Sequence, residues 1–567
     1  MKRLLLPALM CLTAGAQAAP LAEVCCIEDP QLRRSLNAVV DLPPAEGTTP
    51  WQRARTAADR VRRYLRSEGY FAASVSPGLG DDERPRVEVS PGQRFLFQGI
   101  SVSAGEDATA RAILAPAMTL SDGQAYRAED VVATEAAGVA ALQNAGWPDA
   151  QSGERAVVVD HATGTVSVDF VFEPGAFSLA GPARVTGEGW NAEYIASLST
   201  LDEGEVVNRQ ALADYRRRLN ALQSVRRSTV TLEAPDPDTG RRPVSVELTR
   251  APRHLVEVAL SYSTTDGGGA TAAWTRRNVW GEDQTFKLEG QLQSLRQGVA
   301  ASVTLPHWRQ LDQTLHLRTG LASEETDAYD QSEITFGFDL TRAQRDRLQY
   351  ALGGQADLSR VTTAEGVADT IALEAGIGLT LDTRDDPLDP ARGFRARAEA
   401  VPTASFGDTT GQYIRLETSG SAYFRLTESW VAAGRARLGS LVGASINDIP
   451  ADHRFYAGGG GSVRGFDYQS LSPLSDDGSP FGGASVAEFG AELRWRDTSR
   501  WGGVVFVEAG QAGRDTVPSF DNLRTSIGIG ARYYLDFAPI RIDLATPLDR
   551  QEGESSVHLY FSIGQAF

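Results

Sequence analysis

The sequence predicts an α+β region of three repeats followed by a transmembrane antiparallel β-barrel. Helical and strand patterns are mixed up to about residue 251, and a strict alternation of apolar and polar residues takes over from about residue 252. The chain also opens with a secretory signal. Its mean hydropathy of −0.25 is compatible with this fold, because the lipid-facing residues of a membrane barrel alternate with polar ones.

Residues 1–18, MKRLLLPALMCLTAGAQA, have the three parts of a secretory signal. Lys2 and Arg3 supply positive charge, an apolar run follows, and Ala16-Gln17-Ala18 fits the small-x-small cleavage pattern. Removing Lys2 and Arg3 with the signal takes the net charge from −18 to −20. Because binding of nucleic-acid phosphates requires clustered Lys and Arg, this charge argues against nucleic acid as a partner.

The mature chain is expected to keep two cysteines, Cys25 and Cys26, which are adjacent in sequence. Two adjacent cysteines cannot provide a disulfide scaffold. They either lie in a flexible end of the chain or form a vicinal or intermolecular disulfide in the oxidising periplasm.

Three similar segments, 19–92, 93–175 and 176–251, make up the first half of the predicted mature chain. Each contains a helical pattern rich in Ala and Arg, then a break, then two strand patterns. Gly69-Tyr70 and Gly146-Trp147 occupy equivalent places in the first two copies. The spacing of roughly 80 residues suits small, independently folded α+β units.

Residues 252–567 are predicted to form the barrel. In the clearest strand, Ile371, Leu373, Ile377 and Leu379 alternate with small or polar residues, as expected when successive side chains point to opposite faces. A soluble β-sandwich shows the same alternation. The secretory signal and the absence of a helical pattern over more than 300 residues favour the membrane barrel.

The last residues, 557–567, are interpreted as the closing strand of the barrel. Phe561 and the terminal Phe567 fall on one apolar face, which suits a strand with no tail beyond it. Gly564 is expected to weaken or kink this strand. A buried strand that happens to end the chain is the alternative.

A glycine-rich stretch, RFYAGGGGSVRGFDYQSLSP at residues 454–473, is predicted to be a long loop between two strands. The run from Gly458 to Gly461 is too free in its backbone for a regular strand. It is not a phosphate-binding loop, because no Lys-Ser or Lys-Thr follows it. Within the loop lies the tetrapeptide Val463-Arg464-Gly465-Phe466.

This tetrapeptide, together with several other motifs in the same order, resembles the BamA/TamA superfamily of outer-membrane assembly and secretion barrels. One of these motifs is a turn with the pattern Asp382-x-Arg384-Asp385. The matching stretches are TRRNVWG (275–281), TLDTRDDPLDPARGF (380–394), FGGASVAEFGAELRWR (481–496), WGGVVFVEAGQAG (501–513) and GIGARYYLDFAPIRIDLATPL (528–548). The resemblance implies a barrel of 16 strands and identifies the repeats with POTRA domains, the family's periplasmic docking modules.

The resemblance also implies that Arg464 reaches the inner wall of the barrel and pairs there with Glu492 and Glu508. An arginine suits this role because its planar fork binds carboxylates bidentately. The alternation around Phe489 independently predicts that Glu492 faces the lumen, whereas both faces of the Glu508 strand are apolar. Gly465 is expected to adopt a backbone geometry that a side chain would block. A solvated loop charge is the alternative role for Arg464.

By this resemblance the chain is expected to be an outer-membrane assembly or translocation factor, with the repeats in the periplasm. It would insert or secrete client β-barrel proteins at a seam between residues 255–264 and 557–567. The three-repeat layout is most similar to the TamA branch of the family. Expected partners are a TamB-like, inner-membrane-anchored periplasmic protein, unfolded client proteins and outer-membrane lipid. No cofactor, metal site or catalytic residue is expected.

The sequence argues against three other classes of protein. A two-partner secretion transporter of the same superfamily carries two POTRA domains, so three repeats argue against it. A passive porin has no need for such a long periplasmic region. An outer-membrane enzyme lacks support, because the sequence has no G-x-S-x-G elbow and no H-E-x-x-H motif, and its six histidines are scattered.

Overall fold

A computed structural model describes residues 20–563 except 44, 46, 266, 345–346, 498–499, 522 and 536–538. The predicted signal, Gly564 and Phe567 lie outside the described residues. The chain divides into two compact units. The first contains residues up to 184 together with 199–217 and 229–246, and the second contains 185–198, 218–228 and the residues from 247 onward.

The region before the barrel contains three small sheets. The chain order around each sheet is one strand, then two helices, then two or three further strands. The sheet orders are β1-β3-β2, β4-β7-β5 with β6 also on β7, and β8-β10-β9. The elements are β1 (Glu23–Cys25), α1 (Pro30–Val40), α2 (Pro50–Ser67), β2 (Ser74–Leu79), β3 (Pro85–Ser90), β4 (Leu96–Ser103), α3 (Ala108–Leu114), α4 (Ala128–Asn144), β5 (Gln151–Ser152), β6 (Ala156–Asp160), β7 (Thr165–Glu173), β8 (Ala180–Thr186), α5 (Ala192–Ser197), α6 (Arg209–Ala221), β9 (Val225–Leu232) and β10 (Arg242–Arg250). None of the described helices is both long enough and apolar enough to cross a membrane.

Helix α2 shows how the sequence specifies a repeat. Thr49 and Gln52 form a capping box at its start, and Pro50 occupies the first turn, where its missing N–H costs nothing. The buried face, spaced mostly three and four residues apart, consists of Ala54, Ala57, Ala58, Val61 and Leu65. Gly69 follows the helix at a φ of +88°, which favours glycine.

The expectation that both cysteines lie in a flexible end is wrong for Cys25, which belongs to strand β1. The register places it opposite Glu88 of β3. Arg86 Nε donates to the Cys25 thiol at 3.1 Å, and burial raises the pKa of this thiol. Both cysteines are free thiols in this structure.

The C-terminal half forms a closed barrel of 16 strands, in which neighbours in sequence are neighbours in space. The predicted strand number is confirmed. The strands are β11 (His254–Ser263), β12 (Gly267–Arg277), β13 (Thr285–Gln293), β14 (Arg296–Leu305), β15 (Gln313–Glu325), β16 (Asp330–Gln344), β17 (Leu348–Thr363), β18 (Gly366–Asp382), β19 (Gly393–Gly407), β20 (Gly411–Arg425), β21 (Trp430–Val442), β22 (Ser485–Arg496), β23 (Trp501–Gly513), β24 (Arg524–Tyr534), β25 (Pro539–Pro547) and β26 (His558–Ile563).

The barrel has an apolar outside and a polar inside. Along β18, Ile371, Leu373 and Ile377 are exposed on the outer face, while Glu374 lies on the alternate, inner face. This is the pattern of a barrel in lipid. It follows from the period of two in the sequence, so the sequence alone predicts which residues face the lumen along regular strands.

Residues 443–484, the loop between β21 and β22, contain the glycine-rich stretch. We call this segment the lumen loop. Many of its apolar side chains, among them Phe455, Val463, Phe466 and Leu471, are buried in one cluster with wall residues of the barrel. A loop this long, packed by its own side chains, is typical of a functional element rather than a simple connection.

The turn between β12 and β13 contains the last residues of the TRRNVWG stretch and packs on parts of the third repeat that belong to the barrel unit. Asp283 is buried there and accepts hydrogen bonds from the backbone N–H groups of Gln223 and Ser224 at 2.9 and 2.8 Å. Asn191 Nδ2 donates to Glu282 Oε1 at 2.8 Å. These bonds explain why residues 185–198 and 218–228 group with the barrel.

Candidate functional site in the barrel lumen

Arg464, at the tip of the lumen loop, is bound to three carboxylates of the barrel wall. Its side chain is 1% exposed. Its Nη2 donates to Glu492 Oε1 at 2.6 Å and to Glu508 Oε1 at 2.8 Å, and its Nη1 donates to Asp543 Oδ2 at 2.8 Å. The structure thus brings both sequence-predicted acidic residues to Arg464. We call Arg464 and these three carboxylates the arginine latch.

The backbone and the guanidinium plane of Arg464 are held as well. Its N–H donates to Glu508 Oε2 at 2.7 Å, and its carbonyl accepts from the Ser526 hydroxyl. The guanidinium carbon lies 3.6 Å from the centroid of the Phe506 ring, a cation–π contact in a desolvated setting. The planar guanidinium fork of arginine suits this arrangement, because its two terminal nitrogens donate three hydrogen bonds to carboxylates while its face lies on the ring.

Each latch carboxylate binds, besides Arg464, one arginine of the barrel wall. Arg494 Nε donates to Glu492 at 2.8 Å, Arg435 Nη2 donates to Glu508 at 3.2 Å, and Arg532 binds Asp543. The wall therefore carries three arginines for three carboxylates before the loop is counted. Removal of Arg464 leaves each carboxylate with a cationic partner, so the wall does not depend on the loop for charge balance.

Arg464 remains protonated in this environment. Burial by itself lowers the pKa of a guanidinium, but the charges of Glu508 and Glu492 outweigh burial and raise the pKa of Arg464. The loop tip therefore keeps the positive charge of Arg464 at neutral pH.

Gly465 permits the close contact between the loop tip and the wall. Its φ is +95°, and a Cβ at this position would lie 2.7 Å from the Cβ of Ser526. The backbone N–H of Gly465 also donates to the hydroxyl of Tyr560 at 2.8 Å. The expected conformational role of this glycine therefore has two physical causes, a positive φ and a close approach.

Gly465→Ala is expected to weaken loop docking without unfolding the barrel. A side chain held in a strained backbone conformation costs about 1–3 kcal/mol, so the detached loop should become roughly ten- to a hundredfold more populated. The rate at which an external protease cuts the lumen loop of the reconstituted protein measures this population.

Gly461→Ala is the matched control for this prediction. It lies in the same loop, its φ is outside the positive region, and an added Cβ meets nothing within 4 Å. Equal cutting rates for the two variants would contradict the role assigned to Gly465.

The tip of the lumen loop reaches the last strand of the barrel. Tyr560, which bonds to Gly465, belongs to β26, and its register partner on the first strand is Ser263. The hydrogen bonds of Arg464 described above are to residues of β22, β23, β24 and β25. The loop tip thus binds the C-terminal side of the barrel wall up to the strand at which the barrel closes.

Strands β11 and β26 close the barrel, and their pairing is short within the described residues. The register matches Tyr262 with Phe561 and Ser263 with Tyr560. Thr264 N–H then donates to the carbonyl of Leu559 at 3.0 Å. By contrast, β11 pairs with β12 along its whole length, from His254 to Ser263. We call the contact between β11 and β26 the seam.

The structure fixes the seam register, which the alternation of the sequence does not specify. Tyr262 lies opposite Phe561, and Ile563 lies opposite Ile540 of β25. Tyr262 and Phe561 are both exposed on the outer face.

The predicted turn motif does not join the latch contacts described above; it organises the connection between β18 and β19. Arg384 Nη2 donates to Asp382 Oδ2 at 2.7 Å. Asp385 Oδ1 accepts from the backbone N–H groups of Ala391 and Arg392 at 2.9 and 3.0 Å. Bonds of this kind build a rigid turn, which is a structural role.

The sequence reasoning missed Asp543, Phe506, Ser526 and Tyr560. Alternation could have found Asp543, because Ile542 and Leu544 on either side of it are exposed on the outer face. It could not have found Phe506, because an apolar residue on an inner face breaks the expected pattern.

Comparison with known proteins now decides the family. A model of the Omp85 superfamily domain matches residues 278–567, which is 290 of the 567 residues. The chain belongs to the Omp85 superfamily. The outer membrane protein assembly factor BamA of Nitratidesulfovibrio vulgaris is 26% identical over 327 residues, which cover 54% of this chain and 41% of that protein. This Omp85 chain thus aligns with about two fifths of that relative's length.

Solved structures agree on the fold. The crystal structure of BamA from Haemophilus ducreyi lacking POTRA domains 1–3 has a TM-score of 0.69 at 16% identity, with 83% of this chain and all of that one covered. CdiB from Acinetobacter baumannii has a TM-score of 0.51 at 13% identity, covering 95% of this chain and 99% of the other. This Omp85 protein is an outer-membrane barrel of a Gram-negative bacterium with a periplasmic POTRA region.

Proposed function

We propose that this Omp85 protein is an assembly or translocation factor of the TamA type, which helps to insert or secrete client β-barrel proteins. Client strands are added at the seam between β11 and β26. The POTRA region receives unfolded clients, and the lumen loop controls the state of the barrel through the arginine latch. The observation that carries the proposal is the seam, where the register of the described residues pairs β11 with β26 at two positions.

The seam supports strand addition for an energetic reason. Each cross-strand pair contributes roughly 0.2–1 kcal/mol, so a short ladder separates before its longer neighbours do. Along residues 254–261 of β11, no strand of the described part of the chain pairs on the side away from β12. Such an edge is a template for another strand.

The lumen argues against a passive pore. The loop is bonded to several strands of the wall, since Gln331 Nε2 donates to Asp452 Oδ2 at 2.7 Å and Ser462 Oγ donates to Glu488 Oε1 at 2.5 Å, in addition to the latch. A porin needs an open channel, whereas this loop fills part of the lumen with buried side chains.

Three sheets before the barrel favour this role over two-partner secretion, for which the superfamily uses two POTRA domains. Strands β2 and β9 are edge strands of their sheets. An extended segment of a client, or of a TamB-like periplasmic partner, can bind such an edge by β-augmentation. Recovery of such a partner with the mature protein from native membranes tests this part of the proposal.

Reconstitution tests the function itself. Lipid vesicles containing the purified mature protein are mixed with a urea-denatured eight-stranded outer-membrane barrel, and folding is followed by heat-modifiable gel mobility. We expect client folding to be at least tenfold faster than with vesicles containing a 16-stranded porin at equal density, which controls for bilayer defects. Equal rates in the two kinds of vesicle would refute the assembly role.

A further inference from the structure

A second polar cluster connects the lumen loop to the opposite part of the wall from the latch. It consists of His453 on the loop, Asp357 on β17 and Glu374 on β18. The ligand-type atoms of these three side chains lie within 4.8 Å of one another. His453 Nδ1 lies 3.5 Å from Glu374 Oε1.

One carboxylate oxygen of Asp357 is buried without a hydrogen-bond partner in the described part of the chain. The residue is only 5% exposed. Its Oδ2 accepts from Gln355 Nε2 at 2.8 Å, but its Oδ1 is buried and has no hydrogen-bond donor among the described residues. Asp452 precedes His453 in the chain, and its Oδ1 is likewise buried without a hydrogen-bond donor among the described residues. Buried charged oxygens of this kind are costly unless a cation or donor compensates for them.

The neighbouring arginines bind other groups. Arg318 Nη2 donates to Gln355 at 2.7 Å, and its Nη1 pairs with Asp339. Arg415 donates to Glu417 at 3.2 Å and to the carbonyl of His453 at 3.2 Å. The cluster therefore has an excess of negative charge that the arginine side chains beside it do not neutralise by direct contact.

We propose that Asp357, Glu374 and His453 bind a divalent transition-metal ion, with zinc as the best match. One imidazole nitrogen and two carboxylate oxygens suit zinc better than calcium or magnesium, which prefer oxygen ligands alone. Two ligands of a tetrahedral zinc are about 3.3–3.5 Å apart at normal bond lengths, close to the separation of Nδ1 and Oε1. The Tyr413 hydroxyl lies 2.7 Å from the same Nδ1, so this hydrogen bond has to give way when the ion binds.

The bound ion fastens the lumen loop at a second point. Arg464 holds the loop tip to β22–β25, and the metal holds His453 to β17 and β18. A loop fixed at two separate places leaves the lumen only when both contacts break. Zinc is therefore expected to slow release of the loop.

Zinc titration of the full mature chain tests the proposal. The protein carries Cys25→Ser and Cys26→Ser, because the two thiols would bind zinc, and it has no histidine tag. After treatment with EDTA, calorimetry in detergent should show one zinc ion per chain. Asp357→Asn and His453→Gln should each weaken binding at least tenfold, while Asp369→Asn, at an exposed ion pair with Arg360, should leave it unchanged.

A second measurement follows the loop. Zinc should slow protease cutting of residues 443–484 in the parent protein and in the Asp369 variant, but not in the Asp357 or His453 variants. Heat-modifiable mobility verifies that each variant is folded, and Glu374→Gln replaces any variant that is not. Absence of zinc binding, binding that survives all cluster substitutions, or a preference for calcium over zinc would each overturn the proposal.

Discussion

Arg464→Ala is expected to give a folded, membrane-inserted barrel whose lumen loop is no longer held. The substitution removes three side-chain hydrogen bonds to carboxylates and the contact with Phe506. Breaking a buried ion pair costs about 3–5 kcal/mol. Since each carboxylate keeps a wall arginine, we take the lower value, which raises the population of the detached loop roughly a hundredfold.

Protease cutting within residues 443–484 measures this effect, and client folding in vesicles measures its consequence. Cutting should accelerate by about the same factor of 100, and client folding should fall at least tenfold. Arg464→Lys keeps the charge but loses the planar fork, so its cutting and client-folding rates should lie between those of the parent protein and Arg464→Ala.

Arg360→Ala is the matched control. Arg360 pairs with Asp369 in an exposed ion pair at the end of two barrel strands, and pairs of this kind contribute about 0–1 kcal/mol. This variant should behave as the parent protein does. Unchanged cutting and full activity in Arg464→Ala would show that the latch does not hold the loop.

The sequence predicted the faces of the barrel better than the details of the latch. Alternation placed Glu492 on the inner face, because Phe489, Ala491 and Leu493 alternate with polar residues. It left Glu508 open, since both faces of β23 are apolar. The structure gives the reason. Phe506 lies on the inner face because its ring packs on the Arg464 guanidinium.

The register of the seam could not be predicted for a related reason. A shift of two residues keeps every side chain on its own face, so pairing Tyr262 with Ile563 or with Phe561 satisfies the alternation equally well.

The first strand and first helix of each repeat were also missed. Strand β1 has three residues, which is too short for a periodic pattern.

A disulfide across the seam is expected to abolish client folding without affecting the barrel itself. Tyr262→Cys and Phe561→Cys place cysteines at register partners, and directly opposed antiparallel residues lie within the Cα separation that a disulfide requires. The native Cys25 and Cys26 are replaced by Ser. Locking this ladder keeps the two strands of the seam from separating, so the rate of client folding should drop at least tenfold.

The matched control places the same crosslink in a ladder that need not open. Leu260→Cys and Ala270→Cys join β11 to β12, where the register pairs these two residues directly. The oxidised control should keep full activity. Loss of activity in both proteins would show that rigidity of β11, rather than opening of the seam, is required.

The most direct test of the account compares the oxidised and reduced forms of one preparation of the seam-locked protein, with crosslinking verified on gels. The measured quantity is the initial rate of client folding in vesicles. The account predicts a rate equal to that of porin vesicles when the protein is oxidised, with recovery to the parent rate after reduction. Full activity in the oxidised form would contradict it.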